Sequence, residues 1–253
     1  MLWWKYSKSR YADEFEKCAT EDCKFLFPTF SDKLKCNSNL IYQDRSVFKD
    51  YAGKKILLIG GGDSTNNMDW DKLEDYDYVW SVNHFFLHPV LKDKKVDLVM
   101  MMGEPNLNKK EWIDYRNRFK PIVGFEIHDR WVNYKFDDYK KYFCMHTYVY
   151  SILGACVRMI EFACALGVSS IDFIGLDGVE SIFKGKHAFE PGKTTLPGML
   201  QARMDTETDS IQIFKALYTT FWERMVKDFP DVLFKNLGGG EHYHKRIMCS
   251  DSS

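Results

Sequence analysis

The sharpest chemical signal is Gly60-Gly61-Gly62-Asp63-Ser64-Thr65, directly after the apolar run Lys55-Ile56-Leu57-Leu58-Ile59. Glycines let a backbone approach a phosphate closely, and a helix that starts there offers N–H groups and the positive end of its dipole. Ser64 or Thr65 could cap such a helix and donate a hydroxyl. The pattern is not a P-loop, because no Lys-Ser/Thr follows. It is a poor dinucleotide fingerprint too, because Thr65 stands where the third glycine belongs. The alternative is a tight turn. Asp63 would repel a phosphate unless a metal intervened.

Other apolar runs end in the same way. Residues 78–82 lead into Asn83 and His84, and residues 96–102 into Gly103, Glu104 and Pro105. Residues 171–174 lead into Gly175 and Asp177, and residues 232–234 into Asn236 and Gly238-Gly239-Gly240. Asp177 could hold a hydroxyl or a metal, act as a base, or simply cap a turn. His187 lies in Lys184-Gly185-Lys186-His187-Ala188-Phe189-Glu190. A histidine there can act as acid or base, or donate to a leaving phosphate, with the lysines adding positive charge. The competing reading is a solvated loop. His242 and His244 could chelate on an extended segment, but no partner ligands are identifiable, so no metal site is assigned.

These residues need a scaffold. Short apolar runs bounded by glycine read as strands buried on both faces of a parallel sheet. Further runs are residues 121–125 and 143–149. Helical patterns lie between them. Residues 153–166 are apolar nearly all round and stop at Gly167, while Ile211, Phe214, Leu217, Tyr218, Phe221, Trp222 and Met225 repeat at helical spacing. Strands alternating with helices predict an α/β fold, a mostly parallel sheet with helices on both faces. Ligands of open α/β sheets bind beyond the C-terminal ends of the strands, which is where these polar groups fall. Residues 178–205 are long, rich in Gly and Pro and poorly periodic, as a lid-like loop would be. Residues 1–50 read as an irregular N-terminal extension or cap, and 51–253 as the nucleotide-binding catalytic domain.

Composition excludes several classes. The chain has 253 residues, 35 Lys+Arg against 36 Asp+Glu, and 45% apolar residues. That excludes disorder as the main state and argues against nucleic acid as a general partner. No run approaches the roughly 20 apolar residues of a membrane span, and Lys5, Lys8 and Arg10 follow Met1-Leu2-Trp3-Trp4 too closely for a signal peptide. The two tryptophans could make a peripheral membrane contact, though a packed or partner-bound N-terminus is the simpler reading. Seven cysteines without a paired C-x-x-C pattern suggest free thiols in a reducing, cytoplasmic setting.

The stretch Lys54-Lys55-Ile56-Leu57-Leu58-Ile59-Gly60-Gly61-Gly62-Asp63-Ser64 resembles the opening strand and G-x-G-P-S turn of a Rossmann-like superfamily. That superfamily includes bacterial sialyltransferases using CMP-sialic acid, motility-associated flagellin glycosyltransferases and archaeal-type 6-hydroxymethyl-7,8-dihydropterin diphosphokinases. Residues 75–83 resemble its second strand with a terminal asparagine. Residues 163–177 resemble its A-x-x-L-G-x-x-x-I-x-x-x-G-x-D stretch. The resemblance implies that Gly60, Gly61, Gly62 and Ser64 approach nucleotide phosphates, that Asn83 binds ribose or base, and that Asp177 closes the pocket. His187 stands roughly where the sialyltransferases set a tyrosine on the leaving phosphate. Asp63 replaces the family's proline, and Gly61 an asparagine. The family's base histidine has no counterpart in Ala202-Arg203-Met204-Asp205-Thr206. His187, Asp205 or a downstream histidine would have to substitute.

The expected function is glycosyl transfer from a nucleotide-sugar donor, a CMP-linked acidic sugar above others, to a glycan or other hydroxyl acceptor, with no cofactor required. The expected catalytic residues are His187, Asp177 and Asp205. Gly60, Gly61, Gly62, Asp63, Ser64, Thr65, Asn83, Gly103 and Gly175 would line the nucleotide. The first competitor is a diphosphokinase of a pterin-like alcohol using ATP and Mg2+, held by Asp63 and Asp177. The second is a nucleotide-binding protein without catalysis.

Overall fold

A computed structural model of the chain describes residues 25–26, 48–101, 107–126, 142–147, 153–178, 184–193, 207–238 and 248–249. In order they form β1 (Phe25–Leu26), β2 (Lys55–Ile59), β3 (Tyr78–Val82), β4 (Leu98–Met101), α1 (Lys110–Phe119), β5 (Ile122–Glu126), β6 (Tyr142–Thr147), α2 (Ala155–Ala165), β7 (Ser170–Ile174), α3 (Glu207–Asp228), β8 (Leu233–Asn236) and β9 (Met248–Cys249). Short 3-10 turns follow β2 and β3.

The strands make one sheet in the order β1-β6-β5-β4-β3-β2-β7-β8-β9. All neighbours pair in parallel except β1, which lies antiparallel on the β6 edge. From β2 the chain steps outward through β3, β4, β5 and β6, then returns to place β7 on the other side of β2. The direction of winding reverses between β2 and β7, and a crevice opens at such a reversal beyond the strand ends.

Burial explains the central strands. Ile56, Leu57, Leu58 and Ile59 are all buried, so both faces of β2 are covered. Leu58 is in register with Trp80 and Phe173, so these three side chains share a face. On that face Trp80 meets Phe162 of α2, and Phe173 stacks on Trp222 of α3. On the opposite face Asp172 accepts from Tyr76 Oη at 2.8 Å, at the end of a 3-10 turn. Right-handed parallel crossovers put α1 on that side as well. The predicted mostly parallel sheet with helices on both faces is what the chain forms.

Local chemistry sets the ends of the elements. Helix α2 stops at Gly167, whose φ of 78° is left-handed. There the Gly167 N–H donates to Cys164 O and the Val168 N–H to Ala163 O, which is a Schellman motif. Strand β4 starts at Leu98, later than the predicted residue 96, because the Asp97 carboxylate accepts from the Val79 N–H at 2.9 Å. Strand β8 starts at Leu233 because the Val232 N–H turns back to Phe229 O. Helix α1 had no counterpart among the expected elements. It buries Trp112 and Tyr115 against Phe85 and ends at Lys120, whose φ is 52°.

Most of the expected N-terminal extension or cap in residues 1–50 falls outside the described residues, as do Trp3 and Trp4. Phe48 packs edge-on to Phe162, and β1 extends the sheet. Among the described residues no helix is long and apolar enough to cross a membrane.

Candidate functional site

The loop after β2 and the loop after β7 interlock at the reversal. Main-chain N–H groups of Gly60 and Gly62 donate to Ile174 O and Gly175 O, each at 2.8 Å. The Ser64 N–H donates to Asp177 Oδ2 at 2.7 Å, and the Ser64 hydroxyl donates to Asp177 Oδ1 while accepting from the Gly175 N–H at 3.0 Å. The Thr65 hydroxyl donates to Gly60 O at 2.8 Å. No long helix starts here: residues Asp63–Asn67 form a 3-10 turn, and neither hydroxyl caps it. Ser64 ties the two loops together instead, and Thr65 closes the glycine loop on itself.

Close approach accounts for the glycines. A Cβ on Gly60 would stand 2.5 Å from Gly175 O, and one on Gly62 would stand 2.5 Å from Asp177 Oδ2. Gly175 has a φ of 75°, and its Cβ would fall 2.2 Å from Thr65 Oγ1. Gly238, after β8, lies as tightly against Ser64. Cys156 of α2 sits beneath this corner. Burial, with the Asp177 charge adding to it, pushes its thiol up to about 12 and leaves it inert at neutral pH.

Residues 184–193 lie across the corner. His187 bridges to Gly62 as in an antiparallel ladder, and the Ala188 N–H donates to Gly61 O at 2.8 Å. The His187 ring covers Gly61 so closely that a Cβ there would lie 2.6 Å from Nε2. His187 Nδ1 accepts from the Phe189 and Glu190 N–H groups at 3.3 and 3.1 Å. Burial lowers its pKa below the usual histidine value, with Lys193 and His84 adding to that and Glu190 opposing.

Beside it, Glu190 Oε2 lies 2.8 Å from His84 Nδ1 and 2.6 Å from Lys193 Nζ. Burial alone would raise the Glu190 carboxyl; hydrogen bonds from His84 and Lys193 outweigh it and bring the pKa down to about 2. Lys186 lies 3.5 Å from Asp63 on the exposed side. Asn83 follows β3 with a φ of 47°, a left-handed conformation that few non-glycine residues take.

The structure therefore brings Gly60, Gly61, Gly62, Asp63, Ser64, Thr65, Gly175, Asp177 and His187 to one corner, with Asn83 at the end of the adjacent strand β3. Gly103, Asp205, His242 and His244 lie outside the described residues. The role of Glu190 was missed, although the residue stands in the same string as His187. Its one sequence signal was an acid among the basic residues of a loop. Among the described residues no group of three or more His, Cys, Asp and Glu is arranged to hold a metal. Asp63 and Asp177, the metal ligands of the diphosphokinase reading, have protein partners: both Asp177 oxygens accept from Ser64, and Asp63 accepts from Asn66 and lies beside Lys186.

No protein-family model matches the chain, and no curated protein matches it. Solved structures do. The sialyltransferase CstII from Campylobacter jejuni, in complex with the substrate analogue cytidine-5'-monophosphate, superposes with a TM-score of 0.51 at 15% identity, over 78% of this chain and 85% of that one. Two further structures of that sialyltransferase, one with CMP-3FNeuAc and one with a trisaccharide acceptor and CMP, give TM-scores of 0.49 and 0.47 at 16% identity, over 78% of this chain and 86% of each. The first likeness shows the fold.

Proposed function

We propose that this chain is a glycosyltransferase that takes an acidic sugar from a cytidine monophosphate donor and passes it to a hydroxyl of a glycan. The observation that carries the reading is the corner between β2 and β7, where a glycine loop interlocked with β7 is covered by a histidine. That is the place where α/β sheets of this winding take nucleotides. A sialyltransferase whose fold this chain shares was solved with cytidine monophosphate, and this supports the choice of base.

In this reading the phosphate of the donor lies beside Gly61 and His187. His187, neutral at working pH, donates from Nε2 to the phosphate oxygen that leaves, and Lys186 and Lys193 add positive charge. Asn83 faces the ribose or base. Ser64 and Asp177 act from below, holding the loop in place, and no resident metal takes part.

The test is a thermal-shift panel of CMP, CDP, UDP, GDP and ATP with and without Mg2+, followed by transfer assays with CMP-linked sugars. A ligand that binds only the native state stabilises it by about 2.7 kcal/mol at 100 times its dissociation constant. The reading expects metal-independent stabilisation by CMP and EDTA-resistant transfer that His187→Ala abolishes. Stabilisation by ATP only with Mg2+ would move the assignment to the diphosphokinase. Tight CMP binding without transfer from any donor would make the chain a binding protein.

A further inference from the structure

Two histidines flank Glu190, and it engages them in opposite senses. To His84 it presents its carboxylate, with Oε2 2.8 Å from Nδ1. To His187 it presents its main-chain N–H, 3.1 Å from Nδ1. An ionised carboxylate can only accept, so a proton of His84 sits on Nδ1, and whenever the ring holds a single proton its lone pair falls on Nε2. A main-chain N–H can only donate, so His187 Nδ1 is the lone-pair nitrogen and its proton sits on Nε2. The Phe189 N–H on the same Nδ1 reinforces this. Glu190 stays ionised through neutral pH because His84 and Lys193 lower it to about 2 against the effect of burial.

The two rings also stand on the right elements. His84 is the second residue of the turn directly after β3, at the strand edge that carries the glycine loop one strand away. Its side chain is only 12% exposed, so its orientation is held. His187 covers Gly61. Among the described residues Glu190 lies on His84, Lys193 shares that carboxylate, His187 lies within electrostatic reach, and Phe86 comes from its own turn.

We propose that His84 and His187 are the base and the donor of one reaction, with Glu190 as the positioning residue that sets their tautomers in opposite senses. The inference rests on the glycosyl-transfer reading and deepens it by naming the base that residues 202–206 do not supply as a histidine. His84 Nε2 takes the proton of the acceptor hydroxyl as that oxygen bonds to the anomeric carbon. The bond from the anomeric carbon to the phosphate oxygen breaks, and its electron pair stays with the phosphate. CMP leaves with that oxygen hydrogen-bonded to His187 Nε2–H.

The tautomers can be read without turnover. Long-range proton–nitrogen correlation spectra of the full 15N-labelled chain at neutral pH, assigned with His84→Gln and His187→Gln, should show Nδ1–H at His84 and Nε2–H at His187. Either ring in the other tautomer overturns the proposal. In transfer assays His84→Ala should lower kcat by about 100- to 10,000-fold. CMP should still stabilise that variant. Glu190→Gln should lower kcat while the KM for the donor stays, because a neutral amide oxygen holds the His84 Nδ1–H more weakly than the carboxylate does, and Glu190→Asp should restore part of the rate. An active wild type whose His84→Ala variant keeps its rate overturns the pair and leaves the glycosyltransferase reading standing. A wild type that transfers nothing overturns that reading and both catalytic roles with it.

Discussion

The corner where β2 meets β7 and the segment 184–193 that lies across it are both polar, yet they are built in different ways. In the corner, the hydroxyls of Ser64 and Thr65, the N–H groups of Gly60 and Gly62 and both Asp177 oxygens find protein partners. Gly60, Gly62, Gly175 and Gly238 are required because backbone or side-chain oxygens occupy the space a Cβ would take. The segment carries the titratable groups instead. Glu190 and Lys193 remain 25% and 36% exposed, and Lys186 reaches 60%. A site needs both kinds of region: one whose hydrogen bonds are internally closed, to hold position, and one whose charges are shared with solvent, to bind and move protons.

Substitutions should separate the two. The largest effect is expected from Gly175→Ala. An L side chain in the left-handed region costs about 1–2 kcal/mol. The clash with Thr65 Oγ1 and with Gly60 O, 2.2 and 2.4 Å from the added Cβ, brings the total loss to about 3 kcal/mol or more. A urea unfolding midpoint equal to that of the wild type would show that the corner is not tightly built.

Asp177→Asn should come next. The amide can accept from one Ser64 donor but turns its own donor toward the other, a loss of about 1–3 kcal/mol for a buried donor left without its acceptor. The same variant should weaken CMP stabilisation. Unchanged stability with abolished transfer would reassign Asp177 from holding the loop to the chemistry itself.

The segment should declare itself through pH. His187 has a lowered pKa in the folded state, so the unfolded chain binds the extra proton and stability falls as pH drops below about 6.5. Glu190 is also lowered, to about 2 from an ordinary value near 4.5, so its contribution is complete above 4.5 and is lost as pH falls from there toward 2. Melting curves should show acid lability in two stages, and Glu190→Gln should shrink the second, to which Asp77, lowered by hydrogen bonds from Lys55 and Lys54, also contributes. The smallest effect belongs to Lys186→Ala, which breaks an exposed pair with Asp63 and should shift stability by no more than about 0.5 kcal/mol. A larger loss there would erase the distinction between the regions.

The sheet was legible because each central strand is a short apolar run stopped by glycine or a compact polar residue, as in residues 55–62 and 171–177. That pattern exists because both faces are buried and the chain must then turn. Helix α3 was legible for its long apolar stripe. Helix α1 was not, because Lys110, Glu111, Asp114, Arg116, Asn117 and Arg118 surround Trp112 and Tyr115, and no long apolar stripe stands out among them. Of the site, the glycine loop, Asp177 and His187 were picked out as residues. What Ser64 and Thr65 do was not, because a hydroxyl after a glycine loop reads as a helix cap when no partner is in view.

By itself the sequence determined the order of the central strands and of helices α2 and α3, the loops at the strand ends and the residue types available there. These follow from local periodicity and from the turn chemistry of glycine, which act within a few residues. Only the tertiary structure decided that β7 sits beside β2, that Asp177 holds Ser64 and that Glu190 reaches both histidines. Those contacts join residues far apart in the chain, and they exist because the winding reverses between β2 and β7 and carries residues 184–193 back across the glycine loop.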